Sequence, residues 1–152
     1  VKKANKQKPS AIIIGCFDDT GLKQAREISL CPVLGIGESS FLLSYLFSGE
    51  TAVITTVHEA VPIIKKNIKN AGYSTLISEV IAADVEVLDL EFSPTQSAVK
   101  FAQASKALNG STQNIILGCA GAVKIKDEFE TITGYKSFDG VTSAAKLCRA
   151  LL

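Results

Sequence analysis

Charge of one sign is what this sequence has least of. Its 16 lysines and arginines face 15 aspartates and glutamates, a net charge of +1 over 152 residues. So balanced a chain carries no large cationic field to hold a nucleic acid. The basic start, VKKANKQK, reads as a solvated helix end. Long apolar runs are missing too: none approaches the ~18 residues that a membrane span needs, and no signal-peptide pattern opens the chain. Histidine occurs once, at His58, and the four cysteines (16, 31, 119 and 148) include no C-x-x-C pair. That spacing offers neither a zinc site nor a redox pair. The resulting expectations are no nucleic-acid partner, no membrane, no metal, and reduced thiols in the cytoplasm.

What is present is aliphatic and periodic. At 47% hydrophobic, the chain can bury a core of one-domain size. Apolar runs at 11–15, 32–36, 51–55, 85–88, 114–118 and 136–138 read as short strands, most bounded by Gly, Asn or Ser. The best of them lack alternation, as a sheet buried on both faces requires. Between them, 22–30, 38–47, 61–71, 94–108, 122–131 and 141–152 carry apolar residues at helical spacing. Ser93-Pro94 supplies a helix start, and NAGYS at 70–74 a helix stop. The alternation predicts an α/β fold with a mostly parallel sheet. Val1 falls in the middle of a helical pattern, so the true N-terminus is expected upstream.

One stretch occurs twice. AIIIGCFDD at 11–19 and NIILGCAGA at 114–122 superpose at a constant offset, bringing Gly15-Cys16 onto Gly118-Cys119. Each copy ends an apolar strand, and in a parallel sheet ligands sit beyond those carboxyl ends. Glycine lets the backbone turn there. The cysteine then stands near a helix start, where free N–H groups favour an anion and lower a thiol from its usual pKa of ~8.5. Two such cysteines from equivalent strands suggest a pair facing each other across one ligand. Inverting a carbon stereocentre needs that arrangement: a base on one face, an acid on the other, exchanging roles with the enantiomer. Sulfurs so placed would sit roughly 7–9 Å apart. The plainer alternative is two small buried hydrophobes, and the duplication counts against it.

Taken in order, IIIGCFDDTGL, PVLGIGE, AVITTV, IILGCAGA and SFDGVTSAAKL resemble the hydantoin racemase branch of the aspartate/glutamate racemase superfamily over nearly the whole chain. The resemblance implies a cofactor-independent enzyme with two pseudo-symmetric Rossmann-like α/β domains and the active site in the cleft between them. It implies Cys16 and Cys119 as the two acid/base groups. Phe17, Asp18, Thr55, Thr56, Ala120 and Gly121 fall at substrate-binding positions. Thr55 and Thr56 match threonines that touch the substrate's polar rim, with strand-end capping as the alternative reading. The N–H groups after each cysteine are candidates for holding developing oxygen charge. Phe17 reads equally as pocket wall or core. Amino-acid racemases of the superfamily usually follow the first cysteine with Asn-Thr and the second with Thr-His or Thr-Glu. Phe17-Asp18 and Ala120-Gly121 stand here instead, favouring a cyclic ureide, a 5-substituted hydantoin or allantoin. An Asp/Glu-type amino-acid racemase and a catalytically inactive binding relative are the alternatives. The partner is expected to be this small-molecule substrate, and the assembly a homo-oligomer.

The resemblance also divides the chain: residues 1–37 and 136–152 in a first, discontinuous domain, and 38–135 in a second. The family's N-terminal strand, with its Asn-Pro-Asn-type loop, has no counterpart in this sequence. Several other features read as structural. GIGESS at 35–40 lacks the third glycine of a dinucleotide fingerprint. Asp18-Asp19 before Thr-Gly is turn and capping chemistry rather than a metal pair. His58 reads as a surface residue at a helix start, and Cys31 and Cys148 as packing residues.

Overall fold

Strand and helix alternate along the whole chain in a computed structural model, which describes residues 1–151. After a short helix α1 (Lys2–Asn5) come β1 (Ile12–Ile14), α2 (Leu22–Ile28), β2 (Val33–Gly35) and α3 (Ile36–Tyr45). Then follow β3 (Glu50–Thr55), α4 (Val61–Asn70), β4 (Ile77–Ala82), α5 (Asp89–Phe92) and α6 (Pro94–Ser105). The chain continues with β5 (Thr112–Gly118), α7 (Lys126–Thr133), β6 (Lys136–Asp139) and α8 (Gly140–Leu151). Two 3-10 turns, His58–Ala60 and Ala120–Lys124, interrupt this order. The helix read at 141–152 is α8; its last residue, Leu152, lies outside the described residues. Among those residues no helix is long and apolar enough to cross a membrane.

The strands form two sheets, a pair β1-β2 and a four-stranded sheet ordered β4-β3-β5-β6. All their pairings are parallel, which is the α/β architecture expected from the alternation. The central strands are buried on both faces. Ala52 and Ile54 of β3, with Ile115 and Leu117 of β5, point into one core beside Phe101 and Phe129. Val53 and Ile116, one residue out of phase, point into the other beside Ile36, Phe41, Ile64 and Ile68. Each large side chain so buried contributes about 1.5–3 kcal/mol. Phe17, from the loop after β1, joins this second core, while β2 packs against α2, α3 and α8.

One expectation is corrected. The strand read at 85–88 is instead irregular backbone leading into α5, and the strand lies earlier, at β4. There β4 is an edge strand, paired only with β3, and its exposed Ser78 and half-buried Glu79 break up the apolar run. In 85–88, Val85 is buried but Val87 and Leu88 are 51% and 67% exposed. Residues 136–139, as β6, hydrogen-bond to β5 of the four-stranded sheet.

Smaller departures sit at helix ends. Ser93 is the N-cap of α6 with Pro94 at its first position, but no side-chain cap bond forms. Asn70 ends α4 as NAGYS suggests, and Gly72 beyond it takes φ +83.

Candidate active site

Both Gly-Cys pairs lie just past the carboxyl ends of parallel strands, Cys16 after β1 and Cys119 after β5. Their surroundings differ. Gly15 has open space where a side chain would be, whereas a Cβ on Gly118 would meet Val53 Cγ1 at 3.0 Å and Thr55 Cβ at 3.2 Å. Cys16 is exposed and Cys119 half-buried. The duplicated sequence therefore builds one open copy and one set into the larger sheet.

The chain after Cys16 is a tight, well-tethered turn. The Asp19 N–H donates to the Cys16 carbonyl at 2.9 Å, and the Cys16 thiol lies 3.8 Å from the Thr20 hydroxyl. Phe17 is 5% exposed and meets Phe41 edge-on, ring centroids 6.0 Å apart. Its ring is therefore core, not pocket wall. Asp19 adopts left-handed backbone, φ +49, and turns its carboxylate onto the N-terminus of α3. There Oδ1 accepts the Gly37 N–H at 3.1 Å and Oδ2 the Glu38 N–H at 2.7 Å. This explains the glycines of GIGE. A Cβ on Gly35 would fall 2.1 Å from Asp19 Oδ1, and one on Gly37 would fall 2.3 Å from the Phe17 carbonyl oxygen. The fingerprint-like glycines thus make room for a carboxylate of the chain itself at a helix start, where a nucleotide phosphate would otherwise sit. Burial pushes the Asp19 carboxyl up to about 6, against the pull of those two N–H groups.

After Cys119 the chain enters its 3-10 turn, with the Ala122 N–H donating to the Cys119 carbonyl at 3.1 Å. The N–H groups of Gly121 and Ala120 favour a thiolate on Cys119, without closing a regular cap bond. Burial outweighs them and pushes the thiol up, and the charges of Asp18 and Cys16 add to it. The sequence expectation of a lowered thiol therefore fails at Cys119, because desolvation and two nearby acids oppose the N–H groups. The same balance puts Cys16 and Asp18 within electrostatic reach of Cys119. Asp18, half-buried and itself pushed up by burial, also lines a cleft of about 900 Å³ with Thr20, Lys66 and Asn67.

The remaining sequence candidates sit around Cys119. Gly121 packs against Leu90, whose Cβ would lie 3.1 Å from an added side chain. Ala120 packs against the core that holds Phe17. Thr55 is fully buried, and its hydroxyl donates to the Gly118 carbonyl at 2.9 Å. That is strand-end tethering. Thr56 is 3% exposed and its carbonyl accepts the Val85 N–H. His58 pairs with Asp84 at 3.0 Å, both largely exposed. Among the described residues no group of three or more His, Cys, Asp or Glu is placed to hold a metal ion. One contributor escaped sequence reasoning. Asn67, on the polar side of α4, donates from Nδ2 to the Asp18 carbonyl at 2.7 Å, and no motif marks it.

With this geometry in hand, the chain compares closely with known racemases. The sequence model of the family described as Asp/Glu/Hydantoin racemase matches residues 1–148. A hydantoin racemase of Rhizobium meliloti is 36% identical over 155 residues, which take in all of this chain and 64% of that protein. The solved allantoin racemase from Klebsiella pneumoniae superposes with TM-score 0.89 at 25% identity, over 99% of this chain and 62% of that one. An allantoin racemase from Pseudomonas fluorescens gives 0.87 at 28% identity, over 93% and 61%. The chain thus spans less than two thirds of the length of each of these relatives.

Proposed function

The chain belongs to the Asp/Glu/hydantoin racemase family, and from that premise we propose that the protein is a cofactor-independent racemase. It inverts the C5 stereocentre of a 5-substituted hydantoin or allantoin, with Cys16 and Cys119 as its two acid/base groups. The observation that carries this reading is the pair of cysteines at the ends of parallel strands, with Cys16 and Asp18 near enough to Cys119 for their charges to act on its thiol.

In the forward direction a thiolate on one face takes the C5 proton. The electron pair left behind spreads into the ring carbonyl as an enolate. The thiol on the other face gives its proton to C5, so the substrate leaves as the mirror image and the two sulfurs have exchanged states. Product release and proton exchange with water restore the starting pair. The raised Cys119 thiol suits the donor role for the enantiomer whose proton faces Cys16. Backbone N–H groups at Phe17, Asp18, Ala120 and Gly121 are the donors nearest the developing oxygen charge.

Asp18 favours a neutral ring over an amino acid. A carboxylate beside Cys119 repels a substrate's α-carboxylate, while a ureide ring N–H gives it a hydrogen-bond donor to accept from. The reading is tested by polarimetry on the protein expressed from its full reading frame, with L-5-substituted hydantoins, allantoin and aspartate. Racemisation of a hydantoin or allantoin supports it. Racemisation of aspartate alone contradicts the substrate assignment, and no racemisation of any of the three contradicts the activity.

A further inference from the structure

Cys16 and Cys119 come from different sheets, so strand pairing alone does not fix the distance between them. β1 hydrogen-bonds only to β2, and β5 belongs to the four-stranded sheet. What joins the Cys16 turn to the larger sheet is a set of contacts from two helices, the first turn of α3 and the second half of α4. Asp19 holds the first turn of α3 through the Gly37 and Glu38 N–H groups. Asn67 of α4 holds the Asp18 carbonyl. Phe17, the residue before the two tethers, fills the core beside β3 and β5. α3 and α4 pack in that same core, through Ile36 and Phe41, and through Ile64 and Ile68.

We infer that Asp19 and Asn67 are positioning residues that clamp the Cys16 turn to α3 and α4 and so set the thiol-to-thiol spacing. Neither needs to touch substrate. The left-handed backbone at Asp19 and the missing side chains at Gly35 and Gly37 are then the local requirements of the clamp. Glycine at both positions leaves the carboxylate room to reach α3, and the turn it closes, Asp19 N–H to Cys16 carbonyl, carries the thiol. Asn67 holds the neighbouring residue from a second helix, so losing either tether frees the turn from one of its two helices. The inference rests on the two-thiol reading above.

The test uses Asp19→Asn, Asn67→Ala and the nearly isosteric Asn67→Asp, at pH 8, where the Asp19 carboxyl is ionised. In deuterated water each enantiomer of a racemised substrate exchanges its C5 proton separately, and Cys16→Ser shows which exchange belongs to Cys16. The clamp predicts a fall of about tenfold or more in that exchange in Asp19→Asn and both Asn67 variants. The Cys119-dependent exchange stays within about twofold, and kcat falls more than KM rises. Amide hydrogen exchange gives a readout independent of activity: the Asp19 N–H exchanges at least tenfold faster in Asn67→Ala, while the amides of β5 do not change. Equal loss of both enantiomers' exchange would mark a merely structural role and overturn the inference, as would unchanged rates in all three variants. If Cys16→Ser itself leaves both exchanges intact, the two-thiol reading fails instead, and unaltered amide exchange at Asp19 overturns the clamp on its own. Should Asp19→Asn not fold, the Asn67 variants carry the same comparison.

Discussion

Thr55 donates its hydroxyl hydrogen to the carbonyl of Gly118 at 2.9 Å, both groups buried between β3 and β5. The bond ends the strand one residue before Cys119, so the Thr55 side chain tethers the start of the loop that carries Cys119. Thr55→Val keeps the volume and loses the donor, leaving a buried carbonyl short of a partner. Its expected cost is about 1–3 kcal/mol, read as a lower denaturation midpoint, whereas Thr55→Ser stays close to wild type. Matching stability in the valine and serine variants would show that the bond contributes nothing.

Phe17 is the joint between the two sheets. Replacing it with alanine removes an edge-on aromatic partner of Phe41 and opens a cavity in the second core, at a cost of about 3–5 kcal/mol. Phe17→Leu, which retains most of the volume, should lose less than half of that in urea denaturation. A ring that served only as pocket wall would leave stability unchanged in both.

Asp18 acts on Cys119 through its charge. A negative charge beside a thiol disfavours the thiolate and raises the pKa, so Asp18→Asn must move Cys119 down. The expected result is a shift of the alkylation profile of Cys119 to lower pH, followed by mass spectrometry of the labelled peptide, with Cys148 as the internal control. A profile that does not move would place Asp18 too far from the sulfur to matter.

Glu130 links α7 to β6. Burial pushes its carboxyl up, but the Lys126 ammonium, the Ser137 N–H and the Ser137 hydroxyl outweigh it and hold the group below the usual glutamate range. The folded pKa lies below the unfolded one, so the stabilisation is present above the unfolded value of ~4.3. It is lost as pH falls through the folded one. Glu130→Gln is expected to be less stable than wild type at pH 7 and to approach it below pH ~4. A difference that is independent of pH would remove the ionic part of this explanation.

The sequence made the fold legible where strands are buried on both faces. β3 and β5 announce themselves as unbroken aliphatic runs, and their out-of-phase residues fill two cores as such runs must. It misled at β4, an edge strand whose Ser78 and Glu79 interrupt the apolar signal, while Val87 and Leu88 imitate a strand and stand in solvent. The Gly-Cys repeat marked both thiols by number, since the same short pattern closes both apolar strands. What it did not mark was the asymmetry between them, because burial at Cys119 depends on Leu90 and on packing far away in sequence. Asn67 was invisible for the same reason: its partner, the Asp18 carbonyl, is a backbone atom, and no residue pattern records it.

The central claim is that two sulfurs work on opposite faces of one carbon, and proton exchange in the single mutants tests it most directly. Cys16→Ser and Cys119→Ser, close to isosteric, should fold normally and lose racemisation by about 10³-fold, within the range for a removed acid/base group. In deuterated water each should still exchange the C5 proton of one enantiomer of a hydantoin, and the two mutants should exchange opposite enantiomers. Exchange of the same enantiomer by both mutants, or racemisation near the wild-type rate in either, would contradict the account.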